Sequence, residues 1–230
     1  MFKFIIQTII IIYIILMIYN TLNLQKYNYN GIIIFYNKSL KLLLEELKSL
    51  NPIYITIIND FSFNNIKNEY INYIINDNDI IIPIKNINDI SSLYIYKNKE
   101  IFKDLKLNQY IHINDLFNNP LLLKNYSFTI FKNNIKTRVK RVYHNYNIIG
   151  ILEGETTIYL FNPKHKEDIL YQKNNIKKWA HKKKLQKNDI LFIPTNWFYI
   201  QETDSQVFQY HIDIDNLFTI IPNFLKSELS

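Results

Sequence analysis

The chain has 230 residues, 48% of them hydrophobic, which suits one full core plus an appendage better than several domains. Its 27 basic against 20 acidic residues give a net charge of +7 and a pI near 9.2, favouring anionic neighbours such as lipid headgroups, nucleic acid or acidic proteins. With no cysteine and only 3 glycines, disulfides, thiolate metal sites and glycine-rich phosphate loops are excluded.

Phe2 to Tyr19 is apolar apart from Lys3, Gln7 and Thr8, and no further charge follows Lys3 until Lys26. A membrane-spanning helix needs about 20 mostly apolar residues, with a lower limit of about 17, so an uncleaved single-pass anchor is expected over residues 1–20. Tyr13 and Tyr19 would sit at the interface, and the absence of a small-residue cleavage site argues against a signal peptide. The basic residues on the two sides nearly balance, which leaves the orientation open. Residues 21–30 read as a polar linker, and residues 31–230 as one domain.

Within that domain, Gly31 to Tyr36 reads as a strand. Ser39 to Leu50 reads as a helix, because Leu40, Leu43, Leu44, Leu47 and Leu50 share one face. Ile53–Ile58 and Asp79–Ile84 are β-rich runs flanking a helix expected around Asn65–Ile75. Tyr94–Tyr96, Tyr110–Ile113 and Phe128–Phe131 are short strand candidates, and Asp115–Asn118 a helical turn. Further strands are expected over Thr156–Phe161, Asp189–Ile193, Trp197–Gln201 and Gln206–Ile212, then a short helix within Asn216–Leu229 interrupted by Pro222.

The most informative stretches are Arg141-Val-Tyr-His-Asn-Tyr-Asn147, running on through Gly154 to Phe161-Asn-Pro163, and Asn188-Asp-Ile-Leu-Phe-Ile-Pro-Thr-Asn-Trp-Phe-Tyr199. Together they resemble the JmjC and cupin-like family of Fe(II)/2-oxoglutarate oxygenases. The resemblance implies a mainly β fold, a jelly-roll or double-stranded β-helix with a barrel core at about 125–215, behind a mixed α/β N-terminal part. The positions that carry the likeness are Asn147, Gly154, Pro163, Asp189, Pro194 and Trp197. In the same frame Arg141 stands where the first metal-binding His belongs, Tyr143 where the Asp belongs and Tyr199 where the last His belongs. Thr156 stands where the 2-oxoglutarate lysine is often found.

Non-haem Fe(II) is held by two imidazoles and a carboxylate. An arginine has no lone pair to donate, and phenols with a pKa near 10 replace those ligands poorly. The resemblance therefore implies the shape without the reaction: no metal, no cofactor and no catalytic residue, with a degenerate pocket of Arg141, Tyr143, Thr156 and Tyr199. Alternation along a strand puts Arg141 and Tyr143 on the pocket side and His144 on the other. The alternative is an active oxygenase that holds Fe(II) and 2-oxoglutarate through displaced ligands such as His211 or His144.

The basic run from Lys177 to Lys187, containing Trp179, is expected to be a solvated loop between barrel strands rather than a nucleic-acid site. His112 and His165 show no metal-ligand spacing. The expected role is a structural or interaction module, attached to a membrane through residues 2–19 and bound to a protein partner. Strong use of Ile, Asn, Lys and Tyr suits an AT-rich genome, such as that of a large DNA virus or a protist, where the chain would serve in a virion or an internal membrane.

Overall fold

The computed structural model describes residues 2–23, 33–34, 43, 47, 50–78, 80–113, 117, 119–171 and 176–221. The chain opens with helix α1 (Phe2–Asn23). An N-terminal layer follows: strands β1 (Ile33–Ile34) and β2 (Ile53–Thr56), helix α2 (Phe63–Glu69), the hairpin β3 (Ile74–Asp77) and β4 (Ile80–Pro83), strand β5 (Leu93–Asn98) and helix α3 (Lys99–Asp104). The remainder is mostly β: β6 (Leu122–Lys132), β7 (Ile135–Lys136), β8 (Lys140–Arg141), β9 (Tyr146–Glu153) and β10 (Glu155–Phe161). Helix α4 (Lys166–Leu170) interrupts before β11 (Ala180–Gln186), β12 (Asp189–Pro194), β13 (Phe198–Thr203) and β14 (Val207–Asn216).

The strands form two main sheets. The larger has the order β1-β2-β12-β9-β14-β6-β5, and the smaller β11-β10-β13-β7, with β8 also pairing β13. From β6 onward the chain passes repeatedly between them: β6 in the large sheet, β7 and β8 in the small, β9 in the large, β10 and β11 in the small. It then returns to the large sheet with β12, the small with β13 and the large with β14.

Both faces of the large sheet are covered. One face packs on the small sheet through Phe131, Ile149, Ile151, Leu191 and Ile193 against Ile158, Leu160, Leu185 and Tyr199. The opposite face carries Ile148, Leu152, Phe192, Phe208, Ile212 and Ile214, which share a core with Phe61, Phe63, Ile66, Ile75, Ile84 and Ile87 of the N-terminal layer. Each such side chain contributes about 1.5–3 kcal/mol when fully buried, so the N-terminal layer is part of the same core. Double coverage also explains why β9, β12 and β14 read as nearly unbroken buried runs rather than as half-buried alternation.

Several sequence expectations change. The helix expected around Asn65–Ile75 ends at Glu69, and Ile74–Asp77 turns back as a strand against Ile80–Pro83 through Asn78, whose φ is 53°. Tyr110–Ile113 is not a strand: a 3-10 turn over Leu107–Tyr110 occupies its start, with Leu107, Ile111 and Ile113 pointing into the core. The basic segment is not wholly a loop. Ala180–Gln186 pairs residue for residue with β10 at the sheet edge, where exposed lysines discourage pairing with a further strand.

Of the helix expected over Ser39–Leu50, Leu43 and Leu47 are helical and buried, and most of its other residues lie outside those described. Most of the turn at Asp115–Asn118 also lies outside them, as does the tail beyond residue 221.

At the N-terminus the expected helix is present as α1. Among the described residues no helix is long and apolar enough to cross a membrane. What is present is an apolar helix with Ile6, Ile9, Ile10, Ile11, Ile12, Ile14, Ile15 and Ile18 all exposed. It also touches the domain: the Tyr13 hydroxyl donates to the Leu217 carbonyl at 2.7 Å, and its ring lies 5.9 Å from that of Phe218.

Candidate functional site

The face that β8 turns inward is set by its pairing with β13. Lys140 lies opposite Tyr199 and Arg141 opposite Phe198. Tyr199 belongs to the core between the sheets and Phe198 to a cluster on the outer surface of the small sheet. Cross-strand neighbours share a side, so Lys140 points inward and Arg141 outward. Val142, buried in the inter-sheet core, confirms the phase.

Arg141 and Tyr143 do share a side, as alternation requires, but it is the outer one. The guanidinium carbon lies 5.4 Å from the centre of the Tyr143 ring and 5.6 Å from that of Phe198, and one guanidinium nitrogen donates to Asn196 at 2.9 Å. Of the four residues expected to form the pocket, Thr156 and Tyr199 are therefore interior, while Arg141 and Tyr143 are not. A shift of one residue in a strand reverses every side chain, and β8 is only two residues long, so the alternation has little to fix it.

What lies inside is a polar cluster that the expected set missed. Strand β14 alternates: Phe208, Tyr210, Ile212 and Ile214 face the N-terminal layer, while Gln209, His211, Asp213 and Asp215 face the space between the sheets. Gln201 and Gln209 exchange amide hydrogen bonds, Gln201 also donates to Thr156 Oγ1 at 3.2 Å, and Gln209 Nε2 donates to His211 Nε2 at 3.0 Å. Burial, with Lys97 adding to it, holds the His211 pKa well below the ordinary value, so the ring is neutral. Its Nδ1 has no partner among the described residues.

Next along the cluster, the hydroxyls of Tyr96 and Tyr199 lie 2.8 Å apart. Burial pushes both phenols above their usual pKa, so both keep their protons at neutral pH. Lys97, which follows Tyr96 with a left-handed φ of 53°, places its ammonium 2.8 Å from each oxygen of Asp213. Asp213 also accepts from Asn147 Nδ2 at 2.6 Å, and together these neighbours outweigh burial and hold its carboxyl below the usual range.

His144 Nδ1 donates to Asp215 at 2.6 Å, and its Nε2 lies 3.7 Å from Asp213. Burial opposes the charge on this ring, but the two carboxylates outweigh it and raise the imidazole pKa. Lys140 completes the cluster. Its amine donates to Tyr94 Oη at 3.3 Å and lies over the Tyr96 ring. Burial first, then the charge of Lys97, lowers its pKa to about 7.

The residues that carried the family likeness have structural work. Gly154, at φ 88°, makes the turn from β9 to β10, where an added Cβ would run into the Gln206 carbonyl. Asp189 is 1% exposed and accepts from Tyr54 Oη at 2.7 Å, Thr56 Oγ1 at 2.9 Å and the Gln186 N–H at 2.9 Å. Pro194 ends β12 opposite Tyr146, and Pro163 opens a 3-10 turn capped by Asn162. Trp197 is fully buried and donates from Nε1 to the Leu50 carbonyl at 3.2 Å.

The donor set does not fit a facial iron centre. Among the described residues no group of three or more His, Asp or Glu side chains is arranged to hold a metal. His144 is engaged by its carboxylates and His211 by Gln209. His112 lies instead beside a small cleft at the other face of the large sheet, with Asn59, Tyr110, Asn188 and Tyr210. His165 stacks on Trp179 at 4.8 Å.

No protein-family model matches the chain, and no curated protein matches it. Among solved structures it is similar to the coconut allergen cocosin, at 8% identity and a TM-score of 0.32. The match covers 40% of this chain and spans 22% of the length of cocosin.

The signal that could have found the cluster was the Gln-x-His-x-Asp-x-Asp run of residues 209–215, a period-two polar stripe in an otherwise apolar strand. Lys140, Tyr96 and Lys97 gave none, because lysine and tyrosine are abundant throughout.

Proposed function

We propose that the chain is a cupin-like domain of the JmjC-like type that does not run iron oxygenase chemistry and serves as a structural or interaction module, held at a membrane by α1. The observation that carries the reading is the pair Lys140 and Tyr199, the inward residues of β8 and β13. In the family frame these two strands supply metal ligands; here they supply an amine and a phenol. The Tyr199 phenol keeps its proton and is hydrogen-bonded to Tyr96, so it offers no anionic oxygen to a cation. The repeated passage of β6–β14 between two facing sheets supports the double-stranded β-helix part of the reading.

Membrane attachment is supported by α1, whose isoleucines are exposed all round. A helix apolar on every side needs an apolar surrounding, whereas a helix docked in a protein groove keeps a polar face.

The test uses the full chain with Fe(II), ascorbate and 2-oxoglutarate. The expected result is no stoichiometric iron and no succinate above the buffer rate; about one iron per chain with succinate release overturns the oxygenase half of the reading. For the membrane half, the full chain is expected to float with phosphatidylcholine vesicles and Ile10→Asp/Ile14→Asp to stay behind. Failure of the unaltered chain to float overturns that half.

A further inference from the structure

The cleft beside His112 is built where β12, β9 and β14 run side by side, with Ile190 and Tyr210 both opposite Gly150. The Tyr210 ring takes the space that a side chain at position 150 would fill: an added Cβ would run into its Cζ, Cε1 and Oη. Tyr210 is 3% exposed and lines the cleft, yet its hydroxyl has no hydrogen-bond partner among the described residues. Burial alone raises its pKa, so the phenol keeps its proton. A buried hydroxyl in this state is costly unless an acceptor comes from elsewhere.

The other polar groups at the cleft are donors too. Asn188 Oδ1 accepts from the Asn59 N–H at 3.1 Å, and Asn59 Oδ1 accepts from the Phe61 N–H at 3.0 Å. With both oxygens engaged, each side chain has its amide N–H left to give. Lys187, next to Asn188, donates to the Phe61 carbonyl at 2.8 Å, which sets a positive charge beside the same two segments. Among the described residues no carboxylate lines the cleft. Asp189 is taken up by Tyr54, Thr56 and the Gln186 N–H, and Glu153 Oε2 by the Phe63 N–H, while Asp60 is exposed. The enclosed space is about the size of one water molecule, so it admits one atom of a ligand rather than a whole molecule.

We infer that this cleft is an anion site that takes one oxygen of a phosphate or carboxylate group, with Tyr210 Oη at its floor, the Asn59 and Asn188 amides lining it and the exposed His112 at its mouth. Donors without a free carboxylate match a ligand that only accepts, and a charged acceptor strengthens each bond. The remainder of the ligand stays outside the mouth. The inference depends neither on the loss of iron chemistry nor on α1.

The competing account is a single ordered water that satisfies Tyr210. The two are separated by isothermal titration of the full chain, in chloride-free buffer, with sodium phosphate and separately with sodium acetate. Saturable binding of one anion per chain is expected, and the tighter of the two salts identifies the group as phosphate or carboxylate. Tyr210→Phe keeps the ring on Gly150 and removes only the hydroxyl. It is expected to weaken binding by about tenfold or more, with the melting temperature in the absence of anion unchanged or raised. Asn188→Asp keeps the oxygen that serves Asn59 but replaces the donor with a second anionic oxygen, and is expected to abolish binding. No saturable binding by the unaltered chain, which is what a water would give, overturns the inference, as does equal binding by Tyr210→Phe.

Discussion

Lys140 and His144 lie four residues apart and respond to pH in opposite senses. For Lys140 the folded pKa is depressed, so between about pH 7 and its unfolded value the unfolded chain holds a proton that the folded chain has lost. Stability from this group rises with pH across that window, and the cost of burying the ammonium is complete below it. Lys140→Met is therefore expected to stabilise the protein at pH 6 by about 1–3 kcal/mol after screening, with a smaller gain at pH 9.5. Thermal melts at the two pH values check this.

His144 works the other way. Its folded pKa is raised by Asp215 and Asp213, so its stabilisation is present below the unfolded value and lost as pH rises through the folded one. His144→Gln is expected to lose about 1–2 kcal/mol at pH 5.5 and little at pH 9, read from urea midpoints.

Among elements, turns and strand junctions fix the register that the short strands cannot. Gly154 is held at φ 88° with the Gln206 backbone against it, so Gly154→Val combines left-handed strain with a clash at the β9–β10 turn. A loss of about 2–4 kcal/mol in chemical denaturation is expected. Asp189 joins β12 to β2 and to the end of β11. Asp189→Ala removes three hydrogen bonds to a buried carboxylate at once, and a loss of about 2–4 kcal/mol is expected by the same measurement.

These residues show what the sequence could tell. Gly154, Pro194 and Trp197 are rare residue types in this composition, and each, like Asp189, occupies a position where few others would serve. The strands β10, β12 and β13 fall close to their expected places for that reason. The facing of β8 could not be read, because two paired residues between irregular segments carry no usable period.

The whole molecule depends on contacts far apart in sequence. The interior cluster draws Tyr96 and Lys97 from β5, Lys140 from β8 and Asp213 and Asp215 from β14, and no local pattern joins these. The N-terminal layer packs on the large sheet as one core, so a single cooperative unfolding transition is expected for residues 51–221.

Lys140, Val142 and Tyr199 take the inward positions of the β8 segment and β13, and under the proposed reading these are the positions at which iron ligands have been replaced. Cobalt(II) titration followed by visible absorption tests it on two triple variants. Lys140→His/Val142→Asp/Tyr199→His is expected to bind one cobalt and develop d–d bands, while Arg141→His/Tyr143→Asp/Tyr199→His is expected to bind none. Cobalt binding by the second variant and not the first would contradict the account.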